Sequence, residues 1–186
     1  MLMTGKGGIQ YDRAEAYRTF DRACRGGHGG ACHLQAQILC SPPGELGKGV
    51  PYNPRKAIEL YQHVCDGGDS MSCFTLASML LRGDKISKEA DNVSPQEARG
   101  LQPLAKRTNE ADRSRRPDDT KPIHRDPKRA EKLLLQACNS GSHATSCHNL
   151  AVMYTHGDDG IPADPAKAEE YQRKTDKMVK EFGGFF

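Results

Sequence analysis

Apolar residues recur at helical spacing in three segments that can be aligned with one another, residues 12–24, 53–65 and 126–138. Each segment opens with Asp or Asn, and Ala follows four residues later. From that Ala the apolar positions continue at i+4, i+7 and i+8, which makes one stripe along a helix. The pattern predicts three copies of one amphipathic helix, N-capped by Asp12, Asn53 and Asp126. The stripes are Ala16, Phe20, Ala23 and Cys24; Ala57, Tyr61, Val64 and Cys65; and Ala130, Leu134, Ala137 and Cys138.

A second helix is predicted directly after each of these first-type helices. Three residues beyond the stripe stands a glycine, Gly27, Gly68 or Gly141, which can adopt the left-handed conformation that ends a helix. The second-type helix begins near another cysteine and carries apolar side chains such as Leu76 and Leu150. We therefore predict an all-α fold, a solenoid of αα-hairpins joined by short turns.

The predicted hairpins are unevenly spaced along the chain. Residues 1–84 hold two of them, preceded by a remnant of an earlier repeat, because residues 1–5 resemble the end of a second-type helix. Residues 85–124 are expected to be an insertion that is mostly disordered. Residues 125–186 are expected to hold the third hairpin and a C-terminal capping helix that starts at Asp164. The chain is accordingly expected to be an N-terminally truncated or alternatively started product.

The chain has seven cysteines, and six of them form three close pairs along the sequence. In a helix hairpin the two members of a pair face each other across the turn, which permits the Cα separation of under about 7 Å that a disulfide needs. Closing a ring of about nine residues stabilises a fold by about 2.5 kcal/mol, so structural disulfides are the leading interpretation. Cys40 is left over as a candidate free thiol or a small buried apolar residue. The pairs are Cys24 and Cys32, Cys65 and Cys73, and Cys138 and Cys147.

Metal or haem binding is the alternative use of these cysteines. His28 and His33 lie beside the first pair, and His143 and His148 lie beside the third, so a Cys2His2 zinc site could be drawn in two hairpins. The spacing lacks the tight Cys-x2-Cys knuckle, however, and the second pair has only His63 nearby. We expect no metal and no cofactor, with haem or copper as the alternative.

Charge and composition exclude several classes of function. The 27 basic and 24 acidic residues leave a net charge of +3, which attracts nucleic acid only weakly. No stretch approaches 18 consecutive apolar residues, so no membrane span is expected. No acid, base and nucleophile converge in the sequence, so we predict no enzymatic activity. Helical repeats usually bind proteins on their concave face. The candidate contacts there, on first-type helices, are Tyr17, Arg18, Lys56, Lys132 and Tyr171.

A hairpin with Ala four residues after the cap, glycine in the turn and a cysteine on each side resembles the SEL-1-like repeat, a relative of the tetratricopeptide repeat, in its cysteine-rich form. The likeness covers everything except the insertion. Residues 4–8 and 65–76 are similar to a branch of that family in the mitochondrial intermembrane space. This resemblance implies a non-enzymatic assembly factor for cytochrome c oxidase (respiratory complex IV). Its disulfides would come from the intermembrane-space relay, and its client would be a complex IV subunit or assembly protein.

Two other functions are compatible with the cysteine-rich repeat. One is a haem- or copper-binding or thiol-redox protein of the intermembrane space. The other follows from a second branch of the family, secreted bacterial proteins said to bind penicillin or hydrolyse β-lactams. This sequence has no Ser-x-x-Lys, so covalent serine chemistry of that kind is not expected.

Overall fold

The computed structural model describes residues 12–41, 52–83, 123–140 and 143–182. Within these ranges the regular structure is helical apart from one isolated bridge between Asp158 and Ile161. The predicted all-α class is therefore confirmed. The helices are α1 (Arg13–Arg25), α2 (Gly29–Leu39), α3 (Pro54–Asp66), α4 (Ser70–Arg82), α5 (Pro127–Asn139), α6 (Ala144–His156) and α7 (Pro165–Phe182).

The helices begin where the sequence places N-caps. In all four first-type helices the cap side chain accepts a hydrogen bond from the backbone N–H three residues later, at 2.9–3.1 Å. Each bond satisfies one of the N–H groups that a helix start leaves without an intrahelical partner, which is worth about 1 kcal/mol. The four caps are Asp12, Asn53, Asp126 and Asp164.

Glycine in the left-handed conformation ends α1 and α3, as predicted. Gly68 has a φ of +98°, and its N–H donates to the carbonyl of Cys65 at 2.8 Å. The N–H of Asp69 then donates to the carbonyl of Val64 at 3.3 Å, which completes a Schellman turn. Gly27, with a φ of +88°, makes the same turn in the first hairpin. Gly141 lies outside the described residues.

The chain divides into two compact units, Met1–Leu60 with Asp84–Ile123, and Tyr61–Gly83 with His124–Phe186. In the first unit α1 packs on α2. Its core is formed by Ala16 and Ile38, which are fully buried. The half-buried side chains of Ala14, Tyr17, Phe20 and Tyr52 pack against them.

In the second unit consecutive helices stack on one another, α4 on α5, α5 on α6 and α6 on α7. The predicted stripe of α5 lies inside this stack, since Ala130, Leu134 and Ala137 are fully buried. Leu76 of α4 and Leu150 of α6 are also fully buried. Burial of each such leucine contributes about 1.5–3 kcal/mol to stability.

A recurrent backbone bond joins each second-type helix to the next first-type helix within its unit. The N–H of the N-cap donates to a carbonyl in the last turn of the preceding helix, at 2.8–3.1 Å. The donor and acceptor positions are the same across the long loop between α4 and α5 and across the shorter loops of the other two pairs. A Cβ added at Gly83 (φ +45°) would lie 2.5 Å from the backbone N of Arg125, so the two ends of the long connection meet. The three bonds join Asn53 to Leu39, Asp126 to Leu80 and Asp164 to Tyr154.

Two sequence-based expectations concern residues that the structure does not describe. The remnant repeat at residues 1–5 lies outside the described ranges, as does nearly all of the insertion at 85–124. Among the residues that are described, no helix is long and apolar enough to cross a bilayer.

Candidate functional site

A disulfide closes each of the three helix hairpins. The Cα atoms of the bonded cysteines lie 4.6, 4.7 and 4.9 Å apart, inside the range that the bond requires. In each hairpin the second-type helix begins three residues before its cysteine. In the first two hairpins the Schellman turn and the first helical turn together bring the sulfurs into contact. The bonds are Cys24–Cys32, Cys65–Cys73 and Cys138–Cys147.

These bonds argue against the zinc alternative, because zinc is coordinated by cysteine thiolates and the six cysteines are paired in disulfides instead. The histidines beside the pairs do not assemble either. In the four described ranges, no three His, Cys, Asp or Glu side chains come together in a way that could hold a metal ion.

Cys40 lies outside the three disulfides, at the C-terminal end of α2. Its side chain is half-buried, and its Sγ lies 2.9 Å from the carbonyl oxygen of Ala36. The same carbonyl already accepts the backbone N–H of Cys40 at 3.2 Å, so the thiol adds a second hydrogen bond to it at the end of α2.

Polar side chains bridge neighbouring first-type helices in the second unit. From α5, Arg129 Nη2 donates to Gln62 Oε1 at 2.8 Å and Gln136 Nε2 donates to the carbonyl of Cys65 at 2.9 Å, both on α3. From α7, Lys174 Nζ donates to Asn139 Oδ1 of α5 at 3.2 Å. These bonds hold the exposed face of the first-type helices in a fixed arrangement, which is what a binding surface needs.

A group of five side chains, called here the tyrosine cluster, lies where α5, α6 and α7 meet. The Tyr154 hydroxyl donates to the Glu131 carboxylate, and the Tyr154 ring stacks on Tyr171 with centroids 5.7 Å apart. Lys167 Nζ lies 5.0 Å from the Tyr154 ring centroid, and Lys174 Nζ lies 5.1 Å from that of Tyr171. Burial first, and then the hydrogen bond to Glu131, raise the pKa of Tyr154. Tyr154 therefore remains a neutral hydrogen-bond donor at physiological pH.

Arg125 connects three parts of the second unit. Its Nε donates to the carbonyl of Leu81 at 3.0 Å, while its terminal nitrogens contact the carboxylates of Asp158 and Asp159. Burial alone would raise the pKa of Asp158, but the hydrogen bond from Arg125, the backbone N–H of Asp159 and the positive charge of Arg125 together lower it. Because Arg125 is substantially exposed, the ion pairs contribute modestly to stability, and their main effect is to fix the connection between α6 and α7.

His143 serves as the N-cap of α6. Its Nδ1 accepts the backbone N–H of Ser146 at 3.2 Å, and its ring lies 4.6 Å from that of Phe74 on α4. Half-burial of the imidazole lowers its pKa, although the nearby Asp69 carboxylate acts in the opposite direction. From the sequence, His143 was a candidate zinc ligand. In the structure its ring nitrogen caps α6 instead.

The cap predicts a pH dependence of stability, because only neutral His143 can accept the Ser146 N–H. Since folding lowers the pKa of His143, this contribution is complete above the ordinary histidine pKa of about 6.5 and is lost as the pH falls below it. We expect the urea midpoint of the wild type to drop between about pH 7 and 5 more than that of His143→Asn, which keeps a capping acceptor without titrating. Parallel profiles for the two proteins would show that His143 makes no such contribution.

The candidate contact residues are distributed over both units. In the second unit Lys132 is exposed on α5, and Tyr171 belongs to the tyrosine cluster. In the first unit Arg18 is exposed on α1, whereas Tyr17 is half-buried against the Ala16–Ile38 core. Lys56 is half-buried, and its backbone N–H is bound by the Asn53 cap. Lys132 and Arg18 therefore keep accessible surface, while Tyr171 and Tyr17 are both half-buried and partly used for packing.

Sequence reasoning did not single out Tyr154, Glu131 or Arg125. A signal for Tyr154 exists, because it takes the position that Leu39 and Leu80 hold in the other second-type helices. An aromatic hydroxyl at a core position needs a hydrogen-bond partner, and the half-buried Glu131 supplies it. No comparable signal marks Arg125, which depends on a backbone carbonyl and on residues 33 and 34 positions away.

Comparison with known proteins bears on both fold and function. A family model described as Sel1 repeat matches residues 1–28, 44–69, 120–142 and 144–174, more than half of the chain. A relative from Xenopus tropicalis named cytochrome c oxidase assembly factor 7 is 29% identical over 92% of this chain and 58% of its own length. One of the same name from Homo sapiens is 37% identical over 44% of this chain and 36% of its own length. The chain thus spans less than two thirds of these relatives.

Solved structures of Sel1-type proteins are also similar to the chain. One is a protective antigen of uropathogenic Escherichia coli with an SLR fold, 17% identical, with a TM-score of 0.37 over 95% of this chain and 44% of that protein. Another is a Sel1 repeat protein from Oxalobacter formigenes, 16% identical, with a TM-score of 0.37 over 94% of this chain and 69% of that protein.

Proposed function

The chain belongs to the Sel1 repeat family, and on that premise we propose that it is a non-enzymatic scaffold for the assembly of cytochrome c oxidase. The family match confirms the SEL-1-like resemblance drawn from the sequence. The proposal places the protein in the mitochondrial intermembrane space and gives it a complex IV subunit or assembly protein as client. It also makes the disulfide relay of that compartment the oxidant of the cysteine pairs.

One observation carries the proposal, namely that relatives named cytochrome c oxidase assembly factor 7 align along most of this chain. The disulfides support the location, because such bonds persist in oxidising compartments and are rare in the cytosol. Stapled hairpins also give a small repeat protein the rigidity to present side chains to a partner without a large core.

The polar groups of the second unit support a scaffold rather than an enzyme. Tyr154 is bound to Glu131, and the Arg125 guanidinium is divided between Leu81 and two aspartates. His143 holds the start of α6. Each of these groups has a structural hydrogen bond, whereas an acid–base catalyst must be within reach of a substrate proton.

The proposed client surface is the exposed side of α5 and α7 in the second unit. The polar bridges between first-type helices and the tyrosine cluster fix the side chains there. Lys132 is exposed beside this arrangement and is the contact most readily altered without disturbing the fold. A charge reversal at Lys132 tests the surface directly.

We expect the full chain, cross-linked in intact mitochondria, to recover a complex IV subunit or assembly protein. Lys132→Glu should reduce that yield about tenfold, the effect of losing a contact worth about 1.4 kcal/mol. Arg82→Glu is the matched control, since Arg82 is an exposed cation at the end of the second-type helix α4. Recovery of no complex IV component would contradict the proposed client, and equal losses in both variants would contradict the proposed surface.

A further inference from the structure

The three disulfides are not equally covered by the protein. In the second and third hairpins all four bonded cysteines are 0–1% exposed. In the first hairpin Cys32 is 2% exposed, but Cys24 is only partly buried. A thiolate must reach a sulfur atom to exchange with a disulfide, so this difference decides which bond can react in the folded protein.

Neighbouring helices cover the second and third disulfides within the second unit. Met178 of α7 lies over the third, with its Sδ 3.8 Å from Cys147 Sγ. The amide of Gln136 on α5 is bonded to the carbonyl of Cys65, at the edge of the second. To expose either sulfur pair, α7 or α5 would have to move.

The first hairpin also has the weakest second-type helix. His28, the N-cap of α2, makes no side-chain capping bond, whereas Asp69 caps α4 with a bond of 2.8 Å to the N–H of Ser72. The first two residues of α2 are Gly29 and Gly30, which lower helix propensity. Local opening therefore costs less at α2 than at α4.

The packing inside the first hairpin is also weaker than in the other two. Gln35 is 1% exposed at the position where the other second-type helices carry the fully buried Leu76 and Leu150. Its Nε2 donates to Asp21 Oδ1 at 2.7 Å, and Asp21 also pairs with Arg25. Replacing an apolar contact by a hydrogen bond to a part-exposed carboxylate makes this hairpin less firmly packed than the other two.

We propose that Cys24–Cys32 is a site of thiol–disulfide exchange with a dithiol reductant, while the other two bonds act as inert staples. The reductant's thiolate attacks Cys24 Sγ, the Cys24–Cys32 bond breaks, and Cys32 leaves as a thiolate in the first turns of α2. The positive end of the helix dipole stabilises that thiolate and makes Cys32 the better leaving group. The reductant's second thiol, once deprotonated, then displaces Cys24. Two electrons and two protons pass to the cysteines, and the reductant becomes a disulfide.

Reduction at this bond would loosen α1 against α2 and leave the stack from α4 to α7 stapled. The first unit would then respond to the thiol potential of its surroundings while the second unit does not. This inference does not depend on the identity of the client, and it can be tested on the purified chain alone.

The test uses the full chain carrying Cys40→Ser, so that a seventh thiol does not take part. Dithiothreitol is added at neutral pH, samples are quenched and alkylated over time, and the modified cysteines are located by mass spectrometry. Cys24 and Cys32 should become modified at least about ten times faster than the other four. Simultaneous modification of all six, or earlier modification of another pair, would overturn the proposal.

A second variant tests the role of Cys32 as leaving group. His28→Asp gives α2 the cap that Asp69 gives α4, and its carboxylate competes with the thiolate for the first N–H groups of the helix. Reduction should slow by about threefold or more. Gln37→Glu adds the same charge on the exposed side of α2, away from its N-terminus, and should leave the rate unchanged. Equal rates for His28→Asp and the wild type would overturn this part of the mechanism.

Discussion

Replacing Cys65 by Ser is expected to lower the free energy of unfolding by about 2–4 kcal/mol. The Cys65–Cys73 bond closes a short ring across a turn that a left-handed glycine already fixes, so the native state tolerates it without rearrangement. Its loss restores conformational freedom to the unfolded chain and leaves a hydroxyl and a thiol where both sulfurs were at most 1% exposed. Urea unfolding followed by far-ultraviolet circular dichroism measures the loss.

Cys40→Ser is the matched control for that substitution. It makes the same chemical change outside the three disulfides, and a serine hydroxyl can replace the Cys40 thiol as donor to the carbonyl of Ala36. We expect it to cost about 1 kcal/mol or less. If Cys65→Ser shifted the urea midpoint no further than Cys40→Ser does, the disulfide would not be a source of stability.

Truncation of Leu134 to Ala is expected to destabilise the protein by about 2–5 kcal/mol. Leu134 is fully buried on α5, the helix that packs on both α4 and α6, so its removal leaves a cavity with packed helices on two sides. The cavity term adds to the lost transfer free energy because stapled helices cannot collapse far into the gap.

The neighbouring Leu135 provides the comparison. It has the same side chain on the same helix but is only partly buried, so Leu135→Ala should cost about 1 kcal/mol or less. Equal losses for the two leucine truncations would mean that α5 does not bury the stripe described here.

The repeat made much of the fold predictable from the sequence. Four N-caps, Pro at the first helical position and a stripe at i, i+4, i+7 and i+8 are local signals, and they place the first-type helices correctly. Gly27 and Gly68 end helices because a left-handed residue is needed there, which is also a local requirement. Because the same pattern occurs three times, the prediction of a repeated helix is stronger than it would be from a single copy.

The contacts between repeats could not be predicted in the same way. Arg125 reaches Asp158 and the carbonyl of Leu81 across more than thirty positions, and nothing in the local sequence specifies either partner. For His143 the sequence suggested a role that the structure does not show. A histidine between two cysteines is typical of a metal ligand. Its role as an N-cap follows from the structure, in which its Nδ1 accepts the backbone N–H of Ser146.

The difference in solvent accessibility between the three disulfides could not be predicted from the sequence either. Their spacings of 8, 8 and 9 residues are nearly identical, and each pair ends one helix and follows the start of the next. Accessibility depends on what packs over the sulfurs, and Met178 lies 31 residues from Cys147. Spacing predicts that a bond can form, whereas tertiary packing decides whether it can be reduced.

Peptide mapping of the unreduced, alkylated chain tests the central claim that every hairpin is closed by its own disulfide. We expect three linked peptide pairs, Cys24 with Cys32, Cys65 with Cys73 and Cys138 with Cys147. Linkages between different hairpins, or alkylation of all six cysteines once the chain is unfolded without reductant, would contradict it.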